Sequence, residues 1–156
     1  MPEEKVKILF KFFSNLFDEE TVEKIPALVV DKEKGIYMIQ SVPLFAPMVA
    51  FEDLILAEFD KDEDMLVYKE TIDYSGHSVI QIVITDENVK TKDIEKVFIE
   101  MDCVSEGTLE GYFTIGIPYT TDYKTIHNKL EDLEQKGTIS YAEPCLSEKH
   151  RTDTEK

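Results

Sequence analysis

Two stretches in the second half of the chain carry apolar residues at three- and four-residue spacing, and each follows a run rich in β-branched residues. The first spans 91–101, with Ile94, Val97, Phe98 and Met101 on one side. The second spans 123–135, with Ile126, Leu130 and Leu133 on one stripe. That spacing is the signature of a helix with one face turned to a core. Thr91 is placed to cap the first helix, and Asp122 the second, which Gly137 ends. Strands are expected over 79–85, over 112–117 (closed by Pro118) and over 138–142. Strand and helix therefore alternate, and both helices must bury a face against the same sheet. With right-handed crossovers, the arrangement that satisfies this is a split, ferredoxin-like sheet with two helices on one face.

The first half reads differently. Val6, Ile8, Phe10 and Phe12 alternate with Lys7, Leu9, Lys11 and Phe13, which describes a strand. Further strands are expected over 25–30, 36–42, 54–59 and 65–72, with a turn at 32–35. A connection with room for one helical turn covers 14–21. Pro43 and Pro47 bracket Leu44, Phe45 and Ala46, so this segment is an apolar loop that must pack under something or face a partner. The whole is an α+β protein. A small, mostly antiparallel sheet or partial barrel (1–74) precedes the ferredoxin-like part (75–146), and a polar tail (147–156) without a large apolar residue ends it.

The chain carries 33 acidic residues against 17 basic ones, for a formal charge of −16. A field of that sign repels nucleic-acid phosphates and anionic lipid heads and attracts basic surfaces. The expected partner is a basic protein, with neither nucleic acid nor membrane; the plainer reading is that the charge keeps the chain soluble. The opening residues show no targeting segment, and the two cysteines, Cys103 and Cys145, suit reduced thiols in a cytoplasmic setting. No cofactor or metal signature is present. Asp60, Asp62 and Asp64 begin like a calcium loop, but Met65 and Thr71 stand where the glycine and the bidentate glutamate belong. The 60–64 run is a solvated hairpin tip.

Several loop motifs occur in order: Gly35-Ile36-Tyr37, Val42-Pro43-Leu44-Phe45-Ala46, Glu52-Asp53-Leu54, Ser75-Gly76-His77-Ser78, the 103–107 stretch and Tyr141-Ala142-Glu143. Together they resemble a bacterial family known only as a domain of unknown function. The resemblance covers roughly 25–146 and implies a fold, but no activity. Leu44 and Glu52 depart from the family's aromatic residue and glycine.

The one candidate site of chemistry surrounds His77. Gly76 allows a tight turn before the 79–85 strand, with Ser75 and Ser78 on either side and Asp53 and Asp73 as candidate carboxylates. Serine, histidine and carboxylate support nucleophilic chemistry only when the base reaches the hydroxyl. Fixing the loop by hydrogen bonds, and contact with a partner, are the other roles open to His77. Asp60, Asp62, Glu63 and Asp64, with Glu106 and Glu110 in the loop before the 112–117 strand, are the candidate partner contacts. Three functions compete: an immunity protein that occludes the active cleft of a basic toxin domain, a regulatory module for a small ligand, and a hydrolase using His77.

Overall fold

The computed structural model describes residues 4–14 and 17–155, with the side chains of 106–108 excepted. It divides into two compact units, Met1–Ser75 and Gly76–Lys156. The first holds five strands: β1 (Lys5–Ser14), β2 (Glu19–Asp31), β3 (Ile36–Ile39), β4 (Leu54–Asp60) and β5 (Met65–Asp73). Each pairs antiparallel with the next. A short parallel pairing, Ile8 with Leu66 and Leu9 with Val67, then joins β5 to β1 and closes the sheet on itself. Register shifts between Val29 and Asp31 in β2, and at two places in β4, supply the extra twist that closure requires.

The alternation read in β1 holds for Ile8 and Phe10, which join Ile25, Ala27, Tyr37, Ile39 and Ile55 in the core of this unit, but Leu9, read on the lysine face, is buried as well. Phe10 stacks on Tyr68 with ring centroids 4.5 Å apart. The connection expected over 14–21 is shorter than its sequence suggests. Glu19, Glu20 and Thr21 are strand residues opposite Ser14, Phe13 and Phe12. Their polarity had argued for a loop, but a long hairpin leaves part of its length in solvent, where glutamate is tolerated. Of the rest of that connection, Phe17 and Asp18 form a turn, and Asn15 and Leu16 lie outside the described residues.

The proline-bracketed loop packs inward, with Ala46 and Val49 in the core. Its main chain is not part of a strand, so its amides need acceptors from elsewhere. The Glu23 carboxylate takes that role, accepting the N–H groups of Leu44, Phe45 and Ala46 at 2.7, 2.9 and 2.8 Å. Buried or half-buried amides must be satisfied somewhere, and a carboxylate with several lone pairs serves three at once.

The second unit runs β6 (Ser78–Ile84), α1 (Thr91–Ile99), β7 (Val104–Leu109), β8 (Tyr112–Ile117), α2 (Tyr123–Gln135), β9 (Ile139–Cys145) and α3 (Glu148–Thr154). The strand order is β7-β8-β6-β9, all antiparallel, which is the ferredoxin-like order. Ile94 and Phe98 of α1 and Ile126, Leu130 and Leu133 of α2 share one core with Ile80, Ile82, Phe113, Ile115, Ile117 and Ile139. Both helices thus cover one face, as the periodicity requires, although Val97 is only half-buried. Asp122 caps α2 by accepting the Lys124 N–H, and Gly137 follows its end at φ +77°. Lys90, not Thr91, occupies the cap position of α1; the Thr91 hydroxyl instead accepts the Gly111 N–H at 2.7 Å.

Two elements differ from expectation. β7 occupies the stretch read as a loop before β8, where Ser105 and Glu106 pair with Ile115 and Thr114. Its sequence has no apolar alternation, so its strand character comes from pairing with β8 rather than from its own pattern. The polar tail is not frayed either. Residues 148–154 form α3, whose Ser147 cap accepts the His150 N–H, and whose His150 is fully buried. No helix among the described residues is long and apolar enough to cross a membrane.

Leu130 is fully buried under the sheet of the second unit. Replacing it by alanine is expected to cost about 2–5 kcal/mol, read by denaturant unfolding. A loss below about 1 kcal/mol would place the helix differently from what is described here.

Candidate functional site

Residues 75–78, adjacent in sequence, enter three separate local networks. Asp53 is buried. Its carboxylate accepts the Ala50 N–H at 2.9 Å and the Ser75 N–H at 2.8 Å, while the Ser75 hydroxyl donates to the Phe51 carbonyl at 2.9 Å. These bonds knit the end of the first unit to the loop before β4, where Met48 and Glu52 adopt positive φ. His77 accepts the Tyr119 N–H on Nδ1 at 2.8 Å. Gly76 has φ +91°, and a Cβ there would meet the Tyr119 ring at 2.6 Å, so only glycine lets that ring approach. Asp73 ends β5 in an exposed position opposite Leu54.

Ser78 turns into the second unit, fully buried, and bonds His150 rather than His77. Its hydroxyl lies 2.6 Å from His150 Nδ1 and accepts the Ser147 N–H at 2.9 Å. His150 Nε2 lies 3.0 Å from the Pro118 carbonyl. A carbonyl only accepts, so Nε2 carries the proton and Nδ1 accepts from Ser78. Burial holds this imidazole below its ordinary pKa of 6.5, against the bonding to Pro118. Ser78 and His150 therefore have the pairing of a nucleophile and its base, but the hydroxyl is fully buried and the far nitrogen faces a main-chain carbonyl. The pair docks a helix. The polar-tail reading missed it; the signal available was Ser147 three residues before His150, together with the i, i+4 pair Lys149 and Asp153, which binds at 2.8 Å.

A polar seam lies between α2 and β9. The Tyr123 hydroxyl donates to Glu143 at 2.5 Å, Tyr141 donates to Glu131, and His127 Nε2 stands 3.5 Å from the same Glu131 carboxylate. Burial first, and then the neighbouring carboxylate, push both phenols well above the ordinary tyrosine range. They act as hydrogen-bond donors at neutral pH. Sequence periodicity missed this seam because Tyr123, His127 and Glu131 count as polar interruptions of an apolar stripe.

The acidic residues divide between two places. In the first unit, Asp62, Glu63 and Asp64 are exposed at the β4–β5 tip. Asp60 shapes the turn by accepting the Asp62 and Glu63 N–H groups at 2.8 and 3.3 Å. Asp64 has φ +56°, and Glu63 binds Lys11 of β1 at 2.6 Å. In the second unit, Glu106 is a β7 residue whose side chain lies outside the described residues, and Glu110 is exposed in the β7–β8 turn. Glu110 borders an open groove of about 700 Å³ with Ile84, Val89, Lys92, Leu109 and Gly111. Among the described residues, no three of histidine, cysteine, aspartate and glutamate are grouped to hold a metal ion. Neither Cys103 nor Cys145 is in a disulfide; burial pushes the Cys103 thiol up to about 12.

The fold and these sites define an α+β protein of two units, a closed five-stranded sheet and a ferredoxin-like sheet carrying two helices on one face. Over residues 23–141 the chain matches the family described as a domain of unknown function, DUF4265, and it belongs to that family. It is also similar to a crystal structure of a hypothetical protein from Neisseria gonorrhoeae. The two share 25% identity and a TM-score of 0.78 over 94% of this chain and 99% of that one. No curated protein matches the chain.

Asp53→Ala leaves the buried Ala50 amide and the half-buried Ser75 amide without this acceptor. A destabilisation of about 3 kcal/mol is expected from chemical denaturation, and Asp73→Ala, at an exposed strand end, should change little.

Proposed function

We propose that the protein is an acidic binding module for a basic protein, acting in the cytoplasm as an immunity protein that occludes the active cleft of a toxin domain. The observation that carries this reading is the β4–β5 tip. Three consecutive acidic side chains, Asp62, Glu63 and Asp64, stand exposed there on a turn fixed by Asp60. Together with a net charge of −16, this favours rapid encounter with a positively charged surface. Glu110, exposed on the second unit, is the other acidic contact in this reading.

The groove beside Glu110 supports a second reading, a regulatory module for a small ligand. Its apolar wall of Ile84, Val89 and Leu109 with a charged rim is the usual make-up of such a site. A ligand retained through purification and mapped to this groove would favour it over the first. A hydrolytic role for His77 finds less support, since Nδ1 accepts a main-chain N–H and taking up a proton there would break that bond.

Changing Asp60, Asp62 and Asp64 to Asn and Glu63 to Gln together is expected to slow association with a basic partner and to flatten the salt dependence of its rate. Stopped-flow mixing at several ionic strengths reads both. Stability should change little, because asparagine preserves the turn acceptor at 60 and suits the left-handed backbone at 64. Unchanged association rates, in this variant and in Glu110→Gln, would reduce the acidity to a solubility feature.

A further inference from the structure

Helix α3 has seven residues and is too short to be stable on its own. Its attachment runs through side chains that all reach one short stretch of main chain. His150 Nε2 donates to the Pro118 carbonyl, Lys149 donates to the Thr121 carbonyl at 2.9 Å, and Asp153 accepts the Tyr123 N–H at 3.0 Å. The helix is thus strapped over the loop that leads from β8 into α2. Of its residues, only His150 and Asp153 are buried. The Tyr123 ring packs 5.7 Å from the imidazole, and Lys149 lies 5.9 Å from the exposed Tyr119 ring.

We propose that α3 is an acid-released strap: protonation of His150 detaches residues 148–154 from the loop before α2 while the four-stranded sheet stays folded. The geometry around Nδ1 carries the argument. The Ser147 hydroxyl, which accepts the His150 N–H, lies 3.1 Å from Nδ1, while Ser78 accepts the Ser147 N–H and directs its own proton to Nδ1. A proton on Nδ1 would face that hydroxyl donor to donor. One of the two hydroxyls would then have to turn and accept, at the expense of the bonds by which Ser78 and Ser147 hold the start of α3 around a fully buried ring.

The surrounding groups act in both directions. Lys149 opposes the imidazolium and Asp153 favours it, yet Asp153 is already engaged by Lys149 and by the Tyr123 N–H. From α2 the facing group is Tyr123, whose phenol is held by Glu143; from β6 it is Ser78. The docked histidine titrates below 6.5 and the released one close to it. Docking is therefore fully stable above pH 6.5 and weakens as the pH falls toward the docked value, because the released state binds the extra proton. Asp153 is held below 3.8 by Lys149 and the Tyr123 N–H despite its burial, so its contribution is lost only in a separate, more acidic window.

Release would bare the Thr121 carbonyl and the first N–H group of α2, and leave the Pro118 carbonyl with the Thr121 N–H alone, opening a main-chain surface that is closed at neutral pH. Amide hydrogen exchange of the full chain between pH 7.5 and 4.5, corrected for intrinsic rates and read by mass spectrometry, tests this. Below about pH 6.5, the opening constant for residues 148–154 should rise by up to about tenfold per pH unit, with residues 112–117 unchanged. The midpoint should coincide with the imidazole titration of His150 read by NMR. In His150→Gln, which keeps a donor for Pro118 and cannot be charged, protection of α3 should not vary over this range. The proposal is overturned by constant protection of 148–154 in the native chain, by its loss in step with 112–117, or by a midpoint away from the His150 titration. The last criterion decides the matter even where the glutamine variant fails to dock α3. None of these readings depends on the partner proposed above.

Discussion

Main-chain N–H groups in irregular segments need acceptors, and alongside backbone carbonyls this protein supplies side-chain carboxylates again and again. Glu23 takes three amides of the proline-bracketed loop, Asp53 two that shape the end of the first unit, and Asp60 two of the β4–β5 turn. Asp122 and Asp153 both serve the start of α2. A helix satisfies its amides internally and a strand satisfies them against its neighbour; a long connection such as the one between β3 and β4 has neither recourse along its whole length. Part of the chain's negative charge is thus scaffold. The charge available to a partner is what remains, and it is concentrated where carboxylates point outward, as at Asp62 and Asp64.

This division bears on the site around His77. A serine, a histidine and two carboxylates clustered in the sequence suggest chemistry, but the bonds they make are those of loop construction. Asp53 and His77 accept amides, and Ser75 donates to a carbonyl. The more intimate serine–histidine pair joins residues far apart in the chain, Ser78 and His150, and it too is spent on holding an element in place. In both cases the polar groups determine where a segment of backbone lies.

What could be read from the sequence was what periodicity encodes. The two apolar stripes set α1 and α2 on one face, Asp122 and Gly137 marked the ends of α2, and the alternation from Val6 to Phe12 set the inward face of β1. Periodicity is silent where an element owes its existence to neighbours. The Ser105-Glu106 pair becomes strand because β8 offers a free ladder, and Glu19 and Glu20 do so because β1 does. α3 forms over a single buried imidazole, which no hydrophobic pattern records. At the candidate sites, the sequence showed which residues were polar and close in number, but not which atoms would face one another. That depends on turns such as those at Gly76 and Asp64.

The parallel bridge between β1 and β5 has a consequence for how the first unit comes into being. β1 leaves the ribosome first and β5 last among its strands, so the ladder edge that carries Ile8 and Leu9 has no partner until nearly the whole unit has been made. The local hairpins β1–β2 and β4–β5 close early and cheaply in entropy, whereas the final seam joins distant segments and is the slow step in such a topology. An exposed edge beside apolar residues is also where growing chains associate wrongly. Lys7 and Lys11 stand exposed along β1, and charged side chains of this kind are a general means by which strand edges are discouraged from pairing with a second copy.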